Sequence, residues 1–478
     1  MDSYPKTNIS KSDFLLYLEA PRHLWAEKHG RIEHDLSEFA QHLIQEGYEV
    51  ENLAGDYFDT VFLPQNPSSR VLWQKTYNDG PFYARLDALI YKQDSNTYDL
   101  YEIKSATNPD KKDLYDLAYQ ACILKGQIPV DNYYLFHLNK EYVLNGSVDL
   151  AQLFVTDNLN DKVMALLPEI ETARQMALMA AQASDPNDLD YCLNPRQCPC
   201  PEICHPDLPE FSIYDIPRLH PKKKLQLAEM GILSAKDIPI DFDLNDKQRL
   251  VAEMARSNTE FLDHRALKDE LDTLLFPLWF LDYETCISAI PRYAGYHPQQ
   301  QIAFQYSLHR MDTQGEPCHH TGHIAICLGD PTLSLLEHLS NDLGRSGTVI
   351  VWNKSFEMTI NKNMAALHPE FAPFIEDLNS RIYDLGDIVN KGIYLHPGFK
   401  GSWSIKNVLP VMVPELSYLG LDIHKGDQAS MAWWRIIFDG CDEDEKLRLE
   451  EALWNYCELD TLAMVEIFNR FWQLENST

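Results

Sequence analysis

Three stretches in the C-terminal half of this 478-residue chain carry carboxylates in otherwise apolar surroundings. In the first, LWFLDYETCIS, Asp282 and Glu284 are two residues apart, so a β-strand would project both side chains from one face. Two acids buried on such a face without partners cost several kcal/mol. Because hard divalent cations prefer oxygen ligands, a pair of metal ions would neutralise the two carboxylates.

The other two stretches are predicted to form a strand–turn–helix and a helix. In TVIVWNKSFEMTINKNMA, a buried strand leads into a helix that Asn353 caps, which places Glu357 in the first helical turn. In NYCELDTLAMVEIF, Tyr456 and Asp460 are four residues apart and share one face of a buried helix. Since an aspartate is almost never fully buried without a partner, the pattern requires a partner for Asp460.

The order of these motifs resembles the DEDD exonucleases of the RNase H-like fold, tyrosine subtype, the class that includes DnaQ. The resemblance implies four metal-binding carboxylates, Asp282, Glu284, Glu357 and Asp460. They would hold two Mg²⁺ or Mn²⁺ ions about 3.5–4 Å apart for hydrolysis of a phosphodiester bond. Tyr456 would orient the attacking water, and the partner of Asp460 would be metal. The class usually carries Asp where this chain has Glu357.

A second resemblance covers roughly residues 277–475. FLDYET, WNKSFE, SIKNVLPVMVPELSY and YCELDTLAM are similar to an uncharacterised bacterial domain family whose own second motif is NxSFE. The stretch GFKGSWSIKNVLPVMVPEL either lines a groove for a single strand, where an aromatic ring stacks on bases, or forms a packed insertion. Its candidate groove residues are Lys400, Trp403, Ser404 and Lys406.

In the N-terminal third, FYARLDALIYKQDSNTYDLYEIKSATN is predicted to form two strands, 83–91 and 98–104, around a polar turn. Asp87 falls in the first strand, and Glu102 and Lys104 share one face of the second. Two carboxylates can hold a divalent cation that activates water, and a lysine beside them can orient that water. The same residues would also suit a surface hairpin with a Glu–Lys pair.

With the neighbouring segments included, the predicted order along the chain is a helix, a strand with Asp, a strand with ExK and a helix with Gln. Such an order resembles the RecB-type branch of the PD-(D/E)xK nucleases and the exonuclease of CRISPR adaptation modules. The resemblance implies catalytic roles for Asp87, Glu102, Lys104 and Gln120, with the two acids as metal ligands. The catalytic residue of the first helix, 36–58, stays open among His42, Glu46 and Glu51.

Four of the ten cysteines fall in CLNPRQCPCPEIC: Cys192, Cys198, Cys200 and Cys204. Thiolates at this density typically bind a soft metal, although reduced, unligated cysteines are the alternative. In iron–sulfur nucleases of the RecB type, three late cysteines join an early one, where this chain has Ala20 in LEAPRHLW. We expect a structural iron–sulfur cluster, with Zn²⁺ as the alternative; the ligands could all be local, or the cluster could be lost.

The length allows two to four domains, and the two resemblances imply an α/β protein of two nuclease-like modules. A PD-(D/E)xK restriction-endonuclease-like module with the cysteine metal site would span 10–205, and an RNase H-like module 271–478. Between them, 206–270 is expected to be a small helical linker. With its basic triplet 222–224, this linker is similar to a helix-hairpin-helix element, or the lysines are simply solvated.

The net charge of −31 opposes a broad basic surface for duplex nucleic acid. The acids either solubilise the surface or hold cations in narrow clefts, so single-stranded DNA or RNA ends are the expected partners. No run of about 18 apolar residues and no secretory signal is visible, which predicts a cytoplasmic protein without membrane contact.

The function expected from the sequence is therefore that of a metal-dependent nuclease, with 3′–5′ exonuclease activity in the C-terminal module. Two alternatives remain open. One is a catalytically silent scaffold that binds nucleic acid or a partner. The other is a zinc-stabilised module for protein interaction.

Overall fold

A computed structural model of the chain describes residues 8–34 and 36–476. The chain divides into two compact units. Unit 1 comprises the described residues up to Asp207 together with Ser288–Gln300, and unit 2 comprises Leu208–Ile287 and the residues from Gln301 onward. Both units combine helices with a mixed β-sheet, so the chain is α/β. Within the described ranges, no helix has both the length and the apolar character needed to cross a membrane.

Unit 1 contains eight α-helices and seven strands among its described residues. The helices are α1 (Lys11–Glu19), α2 (Pro21–Lys28), α3 (Glu38–Tyr57), α4 (Leu63–Gln65), α5 (Lys111–Leu124), α6 (Leu150–Leu153), α7 (Asn160–Gln182) and α8 (Pro201–Cys204). The strands are β1 (Ser69–Trp73), β2 (Thr76–Asp79), β3 (Phe82–Arg85), β4 (Ala88–Lys92), β5 (Thr97–Lys104), β6 (Val130–Leu138) and β7 (Phe154–Asn158).

The main sheet of unit 1 has the order β1-β4-β5-β6-β7, with β5 parallel to β6 and the other pairs antiparallel. Side chains alternate across this sheet. Leu89, Leu100 and Leu135 pack in one core with α5 and α7. Ile90 and Phe136 point to the opposite face and pack in a second core with α3. The sheet thus lies between two layers of helices.

The sequence predicted one strand over 83–91, and this prediction is wrong. The segment is two strands: β3 pairs with β2 in a separate ribbon, and β4 pairs with β1 and β5 in the main sheet. Asp87 lies in the break between them. Opposite the break, Gln74 adopts a left-handed conformation (φ 54°), and its N–H donates to the Asp87 carbonyl at 3.1 Å.

Unit 2 contains ten α-helices and seven strands among its described residues. The helices are α9 (Pro221–Glu229), α10 (Asp246–Ser257), α11 (His264–Leu271), α12 (Pro331–Asp342), α13 (Lys354–Leu367), α14 (Ala372–Ser380), α15 (Asp387–Asn390), α16 (Ile405–Met412), α17 (Gly426–Trp434) and α18 (Glu443–Asn476). The strands are β8 (Phe261–Leu262), β9 (Leu278–Ile287), β10 (Gln301–Met311), β11 (His319–Ile324), β12 (Thr348–Val351), β13 (Ile382–Asp384) and β14 (Tyr394–Leu395).

The main sheet of unit 2 has the order β11-β10-β9-β12-β13. The strands β9, β10 and β11 are antiparallel, whereas β12 is parallel to both β9 and β13. On the central strand β9, Leu278 and Phe280 pack in a core with α11, α16 and α18. Trp279 and Leu281 pack on the opposite face with α12, α13 and α14. By this alternation, the next even-numbered residues of β9 belong to the α18 face.

The segment predicted as a linker contains α9, α10 and α11, and unit 2 begins at Leu208. The basic triplet lies in the first turns of α9, where Lys223 pairs with Asp243 at 2.8 Å. The Lys224 ammonium lies 5.7 Å from the centre of the Tyr214 ring.

Candidate metal-binding sites

The main sheet of unit 2 carries a cavity of about 460 Å³ beside its central strand. Its lining includes all five residues predicted for the C-terminal site: Asp282, Glu284, Glu357, Tyr456 and Asp460. The two acids of β9 follow Phe280 on the α18 face, and α13 and α18 supply the other three residues. Four carboxylates from three elements thus meet in one cavity.

The turn after β12 orients Glu357. The Asn353 side-chain oxygen accepts from the Phe356 N–H, as the predicted cap requires, and from the Ser355 hydroxyl at 2.8 Å. Glu357 follows in the first turn of α13 and is buried. Within the described chain, its Oε2 atom has no hydrogen-bond partner. An unpaired, buried carboxylate oxygen is costly, and a cation in the cavity would satisfy it.

Asp460 has a partner that the sequence analysis missed. The Tyr418 hydroxyl donates a hydrogen bond to Asp460 Oδ1. Lys406 Nζ lies 3.3 Å from the Tyr456 hydroxyl and donates to the His424 carbonyl at 3.1 Å. The hydrogen bonds of Tyr418 and Lys406 therefore fix the positions of the side chains on one side of the cavity. Nothing in the spacing of PELSYLG points to Tyr418, because the contact depends on the tertiary fold.

The surroundings of the cavity disfavour the ionised form of its carboxylates. Burial, followed by repulsion from neighbouring acids, raises the pKa values of Asp282, Glu284 and Glu357 well above their ordinary range. Burial also raises the pKa of Asp460 to about 6, although the Tyr418 hydrogen bond and the Lys406 charge oppose the change. Oxygen ligands at this density suit a hard divalent cation such as Mg²⁺ or Mn²⁺.

Two further side chains near these acids were not predicted. The Cys457 sulfur and one oxygen each of Asp282 and Glu284 all lie within 4.8 Å of one another. Asp384, at the end of β13, accepts from the Lys354 N–H at 2.9 Å through Oδ2. Within the described chain, its buried Oδ1 atom has no hydrogen-bond partner. Asp384 is the last residue of a strand, and an acid at the end of a strand was the available sequence signal.

The four residues proposed for a groove are divided between different roles. Lys406 lines the cavity, while Lys400 pairs with Glu210 at 2.9 Å. Trp403 packs against the core, and its carbonyl accepts from the Trp352 indole N–H at 3.0 Å. Ser404 precedes the first residue of α16. The packed arrangement therefore holds for Trp403, whereas Lys406 faces the cavity.

In unit 1, the acids and the lysine predicted from the ExK pattern form one cluster. Lys104 Nζ donates to Glu102 Oε1 at 2.9 Å, and Gln120 Nε2 donates to Glu102 Oε2 at 2.6 Å. Asp87 Oδ2 accepts from the Ile103 N–H at 2.9 Å. The break before β4 places Asp87 beside β5, so the four predicted residues are neighbours.

Two residues of the unit 1 cluster were missed. Asp116 lies one helical turn before Gln120 on α5 and accepts from Lys104 at 2.9 Å. Its spacing from Gln120 was a usable signal. Lys11, at the start of α1, lies 2.8 Å from Glu102 and 3.7 Å from each of Asp87 and Asp116. No local pattern marks Lys11, because 91 residues separate it from Glu102.

The two lysines change the charge state of this cluster. Burial raises the pKa of Glu102, but the Lys11 and Lys104 charges lower it more, and the result lies below the ordinary range. Burial and then the Glu102 charge raise the pKa of Asp87 to about 8 and that of Asp116 to about 6. Three carboxyl groups and two ammonium groups therefore form one cluster, in which the raised pKa values favour protonated Asp87 and the lowered pKa favours ionised Glu102.

The candidates for the first-helix residue of unit 1 have other partners. Glu46 accepts from the Ser288 hydroxyl at 2.6 Å and from the Ala289 N–H at 3.1 Å. Glu51 accepts from the Gln74 amide at 3.4 Å. His42 Nε2 lies 3.9 Å from Glu46 Oε1. Glu46 thus anchors the segment Ser288–Gln300 to α3.

The four predicted cysteines come together at the end of unit 1. Cys192, Cys200 and Cys204 are buried around Ala20 and Ala26, and Cys198 packs at the edge. Sequence reasoning missed His23, whose Nε2 atom lies 3.4 Å from Cys198 Sγ. His23 lies three residues after Ala20 in APRHLW, nearly one helical turn further along. A potential metal ligand so close to the missing cysteine was the sequence signal that could have identified it.

Comparison with known proteins gives one match. The sequence model of a domain of unknown function (DUF2779) matches residues 279–404. This range includes Asp282, Glu284 and Glu357 but ends before Tyr456 and Asp460. No curated protein and no solved structure matches the chain.

Proposed function

We propose that the protein is a metal-dependent nuclease whose reaction takes place in the cavity of unit 2. The observation that carries the proposal is the convergence of four carboxylates with raised pKa values on this cavity. Among the described residues that line it, Lys406 is the one basic side chain. Ionised together, the four acids would carry more negative charge than a single lysine offsets, and divalent cations would compensate that charge.

Each side chain of the cavity has a role in the proposed hydrolysis. Two bound Mg²⁺ or Mn²⁺ ions would stabilise the attacking and leaving oxygens of the phosphodiester. Asp282, Glu284, Glu357 and Asp460 hold the cations. Tyr456, whose hydroxyl lies 3.3 Å from Lys406 Nζ, positions the attacking water or the phosphate. Lys406 attracts the phosphate, since it brings a positive charge to an acidic wall.

The size of the cavity favours the end of a single strand as substrate. A volume of about 460 Å³ is that of a small-molecule pocket, so it admits one terminal nucleotide and excludes a duplex. Trp352 and Phe356 line the cavity and offer surfaces on which a base can stack. The 3′–5′ direction follows from the resemblance to DEDD exonucleases, and the positions of the motifs on β9, α13 and α18 support that resemblance.

Unit 1 supports a second nuclease-like module, with Asp87 and Glu102 as metal ligands and Lys104 and Gln120 beside them. One observation favours a silent role for it. Lys11 lies within 3.7 Å of all three carboxylates of the cluster, where a metal ion would otherwise compensate their charge. In this alternative the module binds nucleic acid or a partner and does not cleave.

The decisive experiment compares cleavage by three proteins on 5′-labelled single-stranded DNA and RNA with Mg²⁺ or Mn²⁺. Wild type should shorten the strand stepwise from the 3′ end. Asp282→Asn should abolish this shortening, while Lys104→Met should retain it. Loss of cleavage only in Lys104→Met would assign the reaction to unit 1.

A metal titration separates an inactive protein from a scaffold. Calorimetry with Mn²⁺ should detect two ions that wild type binds and Asp282→Asn does not. Binding of both ions without cleavage of either polymer would favour the scaffold. Absence of Mn²⁺ binding at this site would refute the two-metal proposal. Asp269→Asn serves as the matched control, because its carboxylate is 72% exposed on α11.

A further inference from the structure

We propose that unit 1 holds one zinc ion through His23, Cys192, Cys198 and Cys204. Cys200 is not a ligand, and the site is not an iron–sulfur cluster bound by four cysteines. The proposal is independent of the nuclease activity proposed for unit 2. It rests on the spacing of the donor atoms, on the orientation of the His23 ring and on the position of Cys200.

The donor atoms are spaced for a single ion. One ligand atom from each of the four residues lies within 4.8 Å of the other three. In a tetrahedral site with Zn–S near 2.3 Å and Zn–N near 2.0–2.1 Å, ligand atoms are about 3.5–3.8 Å apart. The separation of 3.4 Å between His23 Nε2 and Cys198 Sγ is close to this value.

An iron–sulfur cluster needs a wider arrangement. In a [4Fe–4S] cluster each thiolate binds a different iron atom, and in a [2Fe–2S] cluster two thiolates bind each iron, so iron and sulfide atoms stand between thiolates on different irons. Thiolates bound to different irons are therefore further apart than those that share one ion. The compact set in unit 1 leaves space for one ion at its centre, and a donor set of one nitrogen and three sulfurs is typical of zinc.

The ring of His23 is oriented as a metal ligand should be. Its side chain is buried, and Nε2 faces the sulfur atoms. The other ring nitrogen, Nδ1, is buried and has no hydrogen-bond partner within the described chain, and the Glu19 Oε2 atom lies 3.6 Å away. A histidine that binds metal through Nε2 carries its proton on Nδ1, usually facing a carboxylate or carbonyl. The negative charge of Glu19 therefore favours a proton on Nδ1 by electrostatic attraction, which leaves Nε2 free to bind.

His23 also replaces the donor that the sequence lacks at Ala20. Ala20 precedes α2 and is buried against the same cysteines. A residue three positions further along a helix lies nearly one turn away on the same side. The imidazole, which is longer than a cysteine side chain, brings its nitrogen into contact with Cys198 from that position.

Cys200 has a structural role in the same segment. Its sulfur is 3.9 Å from Cys204 Sγ, but it does not belong to the group of mutually close donor atoms. Its carbonyl accepts from the Ile203 and Cys204 N–H groups at 3.0 Å, which starts the short helix α8. His205 Nε2 lies 3.2 Å from Cys192 Sγ and can stabilise that thiolate without binding the ion.

The zinc would join two distant parts of unit 1. His23 on α2 is 175 residues from Cys198, and Arg22 on the same helix donates to the Leu189 and Ile203 carbonyls at 2.9 Å. Because a preformed site rarely exists in an unfolded chain, the binding free energy of the ion contributes to folding. Loss of zinc should therefore loosen the contact of α2 with the cysteine segment.

The test uses the full-length protein, with metal content and X-ray absorption as readouts. Wild type should contain one zinc per chain, with three sulfur ligands and one nitrogen ligand. His23→Asn should weaken zinc binding by more than about 100-fold, since it removes a direct ligand. The matched control, Cys200→Ser, should retain one zinc with unchanged coordination, and His23→Cys should retain one zinc with four sulfur ligands.

Four results would overturn the proposal. The first is iron with acid-labile sulfide in anaerobically purified wild type, and the second is four-sulfur coordination of zinc in wild type. The third is loss of zinc from Cys200→Ser with retention by His23→Asn. If His23→Asn does not fold, the absorption spectrum of wild type alone still distinguishes the three-sulfur site from both competing sites. Wild type without any bound metal after growth in zinc would also refute it.

Discussion

Replacing Asp460 by Asn should stabilise the metal-free protein at neutral pH while removing its ability to bind Mn²⁺. The carboxylate is buried beside Asp282 and Glu284, and its charge raises the pKa of both. Asn keeps the shape of the side chain and an oxygen that can accept from Tyr418, but it carries no charge. The substitution therefore removes repulsion without removing the hydrogen bond.

The magnitude follows from the pKa of Asp460, which burial raises from 3.8 to about 6. A change of one pKa unit corresponds to about 1.4 kcal/mol, so ionising Asp460 in the folded state costs about 3 kcal/mol more than in the unfolded state. An acid with a raised pKa stabilises the fold below its unfolded pKa and loses this contribution as pH rises through the folded pKa. The variant should match wild type at pH 4 and exceed its unfolding free energy by about 3 kcal/mol at pH 8.

Urea denaturation at pH 4 and pH 8, in buffer freed of Mg²⁺ and Mn²⁺, measures this difference through tryptophan fluorescence. Trp433, fully buried in unit 2, reports on the relevant part of the chain. Added Mn²⁺ should reverse the order at pH 8, since a ligand at 100 times its dissociation constant stabilises wild type by about 2.7 kcal/mol per site. Asp269→Asn removes an exposed charge and should change little under any condition.

A lower unfolding free energy for Asp460→Asn than for wild type at pH 8 without metal would refute this reasoning. It would mean that the folded state stabilises the ionised Asp460 carboxylate, although burial should disfavour it. A stabilisation of equal size at pH 4 and pH 8 would also contradict it, because the effect would not arise from ionisation. Unchanged Mn²⁺ binding by the variant would separate Asp460 from the metal site.

Three further predictions test other parts of the structure. Tyr418→Phe removes the hydrogen bond that lowers the pKa of Asp460, so Mn²⁺ binding should reach half-saturation at a pH about one unit higher in calorimetric titrations. Lys104→Met leaves buried carboxylates of unit 1 with one ammonium group fewer and should lower the unfolding free energy by about 3 kcal/mol in urea, without affecting Mn²⁺ binding to unit 2. Gly401→Ala should lower the unfolding free energy by at least about 2 kcal/mol, because the new Cβ would lie 2.2 Å from a backbone oxygen at a φ of +66°. In the control Gly440→Ala, the φ is +79° but no atom lies within 4 Å of the new Cβ. Urea denaturation should therefore detect a loss of only about 1 kcal/mol for this control.

Local patterns were enough to locate the acids of unit 2. The two-residue spacing on β9 placed Asp282 and Glu284 on one face, and the four-residue spacing on α18 did the same for Tyr456 and Asp460. The cap at Asn353 was predicted correctly as well. These signals are local because strand and helix periods fix the direction of each side chain. Their convergence was inferred from a resemblance, and the nuclease activity stays a prediction.

Two of the residues that sequence reasoning missed reach their sites only through tertiary contacts. Tyr418 is 42 residues from Asp460, and Lys11 is 91 residues from Glu102. No periodic pattern spans such separations. The break in the predicted strand at 83–91 was missed for a related reason, because one segment there pairs with two different sheets and alternation alone cannot reveal the change of partner.

The balance of charge distinguishes the two acidic sites more sharply than their motifs do. In unit 1, two lysines contact the carboxylates and hold the pKa of Glu102 below its ordinary range, although burial raises the pKa of Asp87 to about 8 and that of Asp116 to about 6. In the cavity of unit 2, a single lysine faces four acids, and the pKa values of all four are raised. A site that neutralises its own acids gains little from a divalent cation, whereas one that does not gains the full relief of repulsion. Mn²⁺ should therefore stabilise unit 2 increasingly as pH rises, and its effect on unit 1 should be small unless Lys11 is removed.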